Sequence, residues 1–147
     1  MREGRAWAAP IQAGFVVDLP NRKSFSPDVA YHMGPDNRGK VPQGAPVFAV
    51  EVCSEDDYGP AAEAEMAGKR RDYFAAGTQV VWDTDVLRSE VVNVYRANDP
   101  SSPTVYRRGQ LVEAEPAVPG WTIPVDDLFL WQAFRTAPGS ADFRLLN

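Results

Sequence analysis

The chain has 147 residues, 44% of them hydrophobic and 24% charged, with a net charge of −5 and a pI near 4.8. That length and balance suit one globular domain with one core, and the negative charge counts against a purely electrostatic nucleic-acid binder. One cysteine (Cys53) and one histidine (His32) exclude an internal disulfide framework and a Cys/His zinc site, and the lone thiol points to a reducing compartment, the cytoplasm. No Gly-x-Ser-x-Gly elbow occurs, and no apolar run approaches the roughly 18 residues of a membrane span.

Residues 13–19 read as a strand that ends in a turn at Pro20 and Asn21, and Ser26 to Tyr31 reads as a short strand entered through Pro27. Residues 34–46, rich in Gly, Pro and charge, read as an exposed loop. Val47 to Cys53 is apolar except for Glu51, which suits an interior strand. Pro60 to Ala76 is the clearest helix: Pro60 opens it, Glu63 and Glu65 lie early, Lys69, Arg70 and Arg71 lie late, and Gly77 closes it. Thr78 to Asp83 and Ser89 to Arg96 read as further strands, with Asp83 and Asp85 ending the first. Thr104 to Tyr106 and Gln110 to Val112 read as a hairpin turning near Gly109, and Trp121 to Pro124 leads into a short helix over Val125 to Phe134. The expected class is α+β, close to α/β: a mixed central sheet, one main helix after the Glu51 strand and a short C-terminal helix, in a single domain.

Three residues stand out. A carboxylate in an apolar strand costs several kcal/mol, of order, unless a cation meets it. Strand alternation puts Phe48, Val50 and Val52 on one face and Ala49, Glu51 and Cys53 on the other; the first face reads as core, the second as the wall of a cleft. On the helix, Ala62, Met66, Lys69, Tyr73 and Ala76 form one stripe, so Lys69 projects near the sheet, with Arg70 as its rival. Asp28 follows Pro27 into an apolar stretch, a position a turn aspartate also takes. The blander readings are a snorkelling lysine for Lys69, helix-dipole complementation for Asp56, Asp57, Glu63 and Glu65, and core for Tyr73, Phe74 and the tryptophans. His32 reads as structural, Arg107 and Arg108 as solvated, and nothing marks Cys53 as a nucleophile.

Pro27-Asp28, Glu51 in an apolar strand and a following basic residue resemble the PD-(D/E)XK nuclease pattern. That resemblance implies two carboxylates holding Mg²⁺ (or Mn²⁺) and a lysine that orients water or meets charge in the transition state. In the standard motif the lysine stands two residues after the second acid. Here that position is Cys53, so the lysine has to come from elsewhere. The segments Ser26 to Ala30, Phe48 to Ser54, Lys69 to Gly77, Val80 to Asp83 and Val118 to Val125 together resemble the Uma2 family of restriction endonucleases, in the family's order and over roughly residues 10–130. The resemblance maps the displaced lysine to Lys69 and the metal ligands to Asp28 and Glu51. It implies a restriction-endonuclease-like fold, DNA as substrate and a homodimer. Family members usually begin with a further helix and strand, so the chain is expected to be N-terminally shortened, with a sheet face open to a partner. The alternative expectation is an inactive or truncated relative that serves as a dimerisation or interaction module.

Overall fold

The computed structural model describes residues 6–9, 14–33 and 43–129. The elements are β1 (Ala6–Ala9), β2 (Phe15–Leu19), β3 (Arg22–Phe25), β4 (Val29–Met33), β5 (Phe48–Val52), α1 (Pro60–Ala75), β6 (Val80–Asp85), β7 (Val91–Arg96), β8 (Asp99–Arg107), β9 (Leu111–Glu113) and β10 (Thr122–Pro124). Residues 125–129 are helical. A six-stranded sheet runs β1-β4-β5-β6-β7-β8, and β2-β3 and β9-β10 form two small antiparallel ribbons. Within the large sheet only β5 and β6 are parallel, joined by α1; every other pairing is antiparallel. The architecture is therefore α+β with a mixed sheet, as the order of elements predicts.

The β5 alternation produces two cores. Phe48 and Val50 join Val80, Trp82, Val92 and Val94 on one face, which β9, β10 and the segment to Leu128 cover. Trp82 is 1% exposed, stacks on Trp121 at 5.6 Å and donates its indole N–H to the Glu113 carbonyl. On the other face Ala49 and Val81 meet Val17, Phe25 and Tyr73 from the β2-β3 ribbon and α1. The ribbon is tied to α1 where Arg22 and Asn21 donate to the Asp72 carboxylate. Both faces of the central strands are thus covered, contrary to the expectation of an open sheet face.

α1 starts on Pro60, whose missing N–H costs nothing in a first turn. It stops because Gly77 adopts φ +106, where a side chain would be strained, and the N–H groups of Gly77 and Thr78 turn back to the carbonyls of Phe74 and Tyr73. Lys69, Arg70 and Arg71 stand short of the last turn, which holds no basic residue.

Two expectations fail here. The hairpin over residues 104–112 does not form: β8 pairs with β7, and after the Gly109 turn β9 pairs with β10. The pattern hid this because Pro100 and Pro103 make the first half of β8 read as loop. They stand on the sheet's outer strand, where proline is tolerated and discourages further pairing. Asp83 does not end its strand either. It lies inside β6 at 8% exposure, opposite Glu51. β3, Arg-Lys-Ser-Phe, has one apolar residue, and β1, Ala-Trp-Ala-Ala, is mostly alanine, which has little preference for strands. The expected loop at 34–46 lies largely outside the described residues, as does the end of the expected C-terminal helix.

Asp85 is the residue that closes β6. Its carboxylate accepts the backbone N–H groups of Leu87, Arg88 and Ser89, the Ser89 hydroxyl and the Tyr58 phenol. Burial would raise its pKa, but these bonds outweigh burial and hold it at about 2. Asp85→Ala should therefore cost about 2 kcal/mol of stability at neutral pH. A depressed folded pKa gives stability above the ordinary carboxylate range that is lost as pH falls toward 2, so the penalty in thermal melts should shrink over that window. A penalty independent of pH would contradict this role.

Candidate active site

The register of three strands builds a row of acids. β4 runs antiparallel to β5 with Val29 opposite Val50, so the residue before β4, Asp28, comes level with Glu51. β5 runs parallel to β6 with Glu51 opposite Asp83. Asp28 is fixed twice to β5: its N–H donates to the Val50 carbonyl at 3.0 Å, and its Oδ2 accepts the Val52 N–H at 2.7 Å.

α1 lies over this row and answers it with two cations. Lys69 Nζ is 2.9 Å from Glu51 Oε1. Arg70 pairs with Asp83 Oδ2 and lies over the Tyr95 ring, 4.0 Å from its centroid. Consecutive helical residues diverge by about 100°, which lets Lys69 and Arg70 reach acids on neighbouring strands. One helical turn on, Tyr73 donates its phenol to the same Glu51 Oε1 at 2.7 Å, with its ring stacked on Phe25 at 4.0 Å. Of the two rival cations, Lys69 meets Glu51 and Arg70 meets Asp83.

Burial pushes the Glu51 carboxyl above the usual range; Lys69 and Tyr73 pull it back and Asp28 adds to the rise. Burial likewise raises Asp83 against the pull of Arg70 and Lys69. The Cys53 thiol, half-buried, is pushed up to about 12 by burial first and then by Asp85, Asp83, Asp57 and Asp28. It stays protonated at neutral pH and is a poor nucleophile. His32 is 5% exposed within β4 and packs 5.6 Å from the Phe15 ring, consistent with a structural residue.

A cleft of about 300 Å³ opens beside Glu51. Its charged lining is Asp28, Glu51, Asp56, Asp57 and Glu65 against one cation, Lys69. Such a cleft repels a phosphodiester unless a cation comes between. The donor set suits a hard divalent ion: two carboxylates fixed on adjacent strands, as Mg²⁺ prefers when waters and substrate phosphate complete its octahedron. Among the described residues no group of three or more His, Cys, Asp or Glu side chains is placed to hold a metal by itself. Arg70 engages Asp83, which does not line the cleft. Asp57 is spent on the turn before α1, accepting the N–H and hydroxyl of Ser54.

Sequence reasoning placed Tyr73 in the core and missed its phenol on Glu51. It also missed Asp83. A signal for Asp83 was there: Phe48-Ala49-Val50-Glu51 and Val80-Val81-Trp82-Asp83 both set an acid after three apolar residues, on strands that one helix joins.

The chain matches the model of the Uma2 family, described as putative restriction endonuclease, over residues 2–126. Among solved structures it is similar to a putative nuclease belonging to DUF820 from Anabaena variabilis ATCC 29413. The TM-score is 0.65 at 21% identity, over 86% of this chain and 69% of that one, a likeness of fold. No curated protein matches the chain. Among the described residues no helix is long and apolar enough to cross a membrane.

Proposed function

Because the chain belongs to the Uma2 family of putative restriction endonucleases, we propose that it is a Mg²⁺- or Mn²⁺-dependent endonuclease that hydrolyses DNA phosphodiester bonds in the cytoplasm. The observation that carries the reading is Glu51: a carboxylate 7% exposed, level with Asp28, clamped by Lys69 at the wall of an acidic cleft. An unpaired acid in that position would be costly, and Lys69 and the Tyr73 phenol meet it.

Asp28 and Glu51 are the residues that would hold the cation. When bound, the cation supplies Lewis-acid polarisation of the scissile phosphate and eases deprotonation of a water. Asp28 is kept in place by its two backbone bonds to β5, and Glu51 by the strand, so both are preorganised before substrate arrives. Lys69 orients the attacking water or meets the charge that grows on the phosphoryl oxygens. The water oxygen bonds to phosphorus as the bond to the leaving sugar oxygen breaks. The water loses a proton and the leaving oxygen gains one. Duplex cleavage calls for two such sites, which a homodimer would provide.

A non-catalytic interaction module is the second reading, favoured by Glu51 being already neutralised by Lys69. One assay separates the two. Supercoiled plasmid should be nicked or linearised with Mg²⁺ or Mn²⁺, left intact with EDTA, and left intact by Lys69→Ala. No cleavage of duplex or single-stranded DNA with either metal would favour the second reading.

A further inference from the structure

Resting on the reading of Glu51 as a metal ligand, we propose that Tyr73 is its positioning residue: the phenol and Lys69 together hold Oε1, so that Glu51 offers a cation Oε2 alone. Both bonds fall on the same oxygen, from Lys69 Nζ at 2.9 Å and from the Tyr73 phenol at 2.7 Å. The two residues are four apart on α1 and so lie on one face, one turn from each other. A rotating carboxylate is a poor ligand, because ordering it costs entropy each time a cation binds. Two donors on one oxygen remove that rotation and fix the direction of the other.

Tyr73 is built for this. It is 0% exposed, its ring is stacked at 4.0 Å on Phe25, and Phe25 belongs to the β2-β3 ribbon. The ribbon is in turn tied to α1 through Arg22 and Asn21 on Asp72, the residue before Tyr73. The tyrosine cannot swing away without undoing that packing. Lys69 is the looser clamp, with a quarter of its side chain exposed. If it shifts toward a phosphoryl oxygen during the reaction, Tyr73 still holds Glu51. Groups that orient a metal ligand by hydrogen bonding typically change affinity by about 10- to 100-fold when removed.

The test is Tyr73→Phe, which keeps the ring and deletes one oxygen, beside Val112→Ala, which loosens the core on the other face of the sheet and leaves Tyr73 and its packing alone. Mn²⁺ binding is read by calorimetry, stability by thermal melts and DNA cleavage by kcat and KM. Tyr73→Phe should bind Mn²⁺ about tenfold more weakly and lose roughly tenfold in kcat, with KM for DNA within about twofold. Val112→Ala should melt lower yet bind Mn²⁺ within about twofold of wild type. Tyr73→Phe binding Mn²⁺ like wild type would overturn the positioning role and leave the metal site standing. Wild type failing to bind Mn²⁺ would overturn the metal site, and Tyr73's role with it.

Discussion

Glu51→Gln should lose DNA cleavage by roughly 10³-fold or more, because a bound cation supplies several kcal/mol of transition-state stabilisation and every 1.36 kcal/mol is about tenfold in rate. The same variant should melt no lower than wild type in metal-free buffer near pH 7.5. The sign follows from burial. Glu51 has a folded pKa raised above its unfolded value, so between those values the folded state holds more protons than the unfolded one. Stability therefore falls as pH rises through that window, so charging Glu51 is a cost to the fold. Gln removes the cost and keeps the shape. Cleavage assays and thermal melts from pH 4 to 8 check both halves. A variant that cleaves normally would refute the role of Glu51. One that is inactive only because it unfolds would leave the activity loss without meaning.

Arg70→Leu should be among the most destabilising single changes, at roughly 3 kcal/mol, because it leaves the buried Asp83 carboxylate without its cation and beside Glu51. For a chain of this size that is a fall of about 10 °C in melting temperature. Removing Arg70 lets the Asp83 pKa, already raised, climb further. The penalty should shrink as pH falls through that raised range, where Asp83 takes up a proton instead. Arg70→Leu with Asp83→Leu should recover most of the loss, since an apolar pair of similar volume replaces a buried ion pair at little cost. If the double variant is as unstable as the single one, the pair is not what Arg70 is for.

The strands around the site are legible because apolar residues dominate them: Val47 to Cys53 and Thr78 to Asp83 match β5 and β6 to within about two residues at each end, and Pro60 and Gly77 bracket α1. Lys69 was legible through its helical stripe and the family resemblance. What the sequence hides is register. Nothing local says that Asp28 comes level with Glu51 or that Asp83 stands opposite it, because those relations come from strand pairing across the sheet. The phenol of Tyr73 was hidden for a different reason. Its spacing marks the core face of α1, and burial masks the one polar atom that matters. The β8 strand was misread because its two prolines argue against a sheet interior and say nothing against an edge.

The central claim is that Asp28 and Glu51 hold a divalent cation in the acidic cleft. The most direct measurement is calorimetric titration of Mg²⁺ and Mn²⁺ into wild type, Asp28→Asn and Glu51→Gln. Saturable binding to wild type that is lost in both variants, with their folds intact by circular dichroism, is the predicted result. No binding to wild type at millimolar metal, or binding unchanged in both variants, would contradict it.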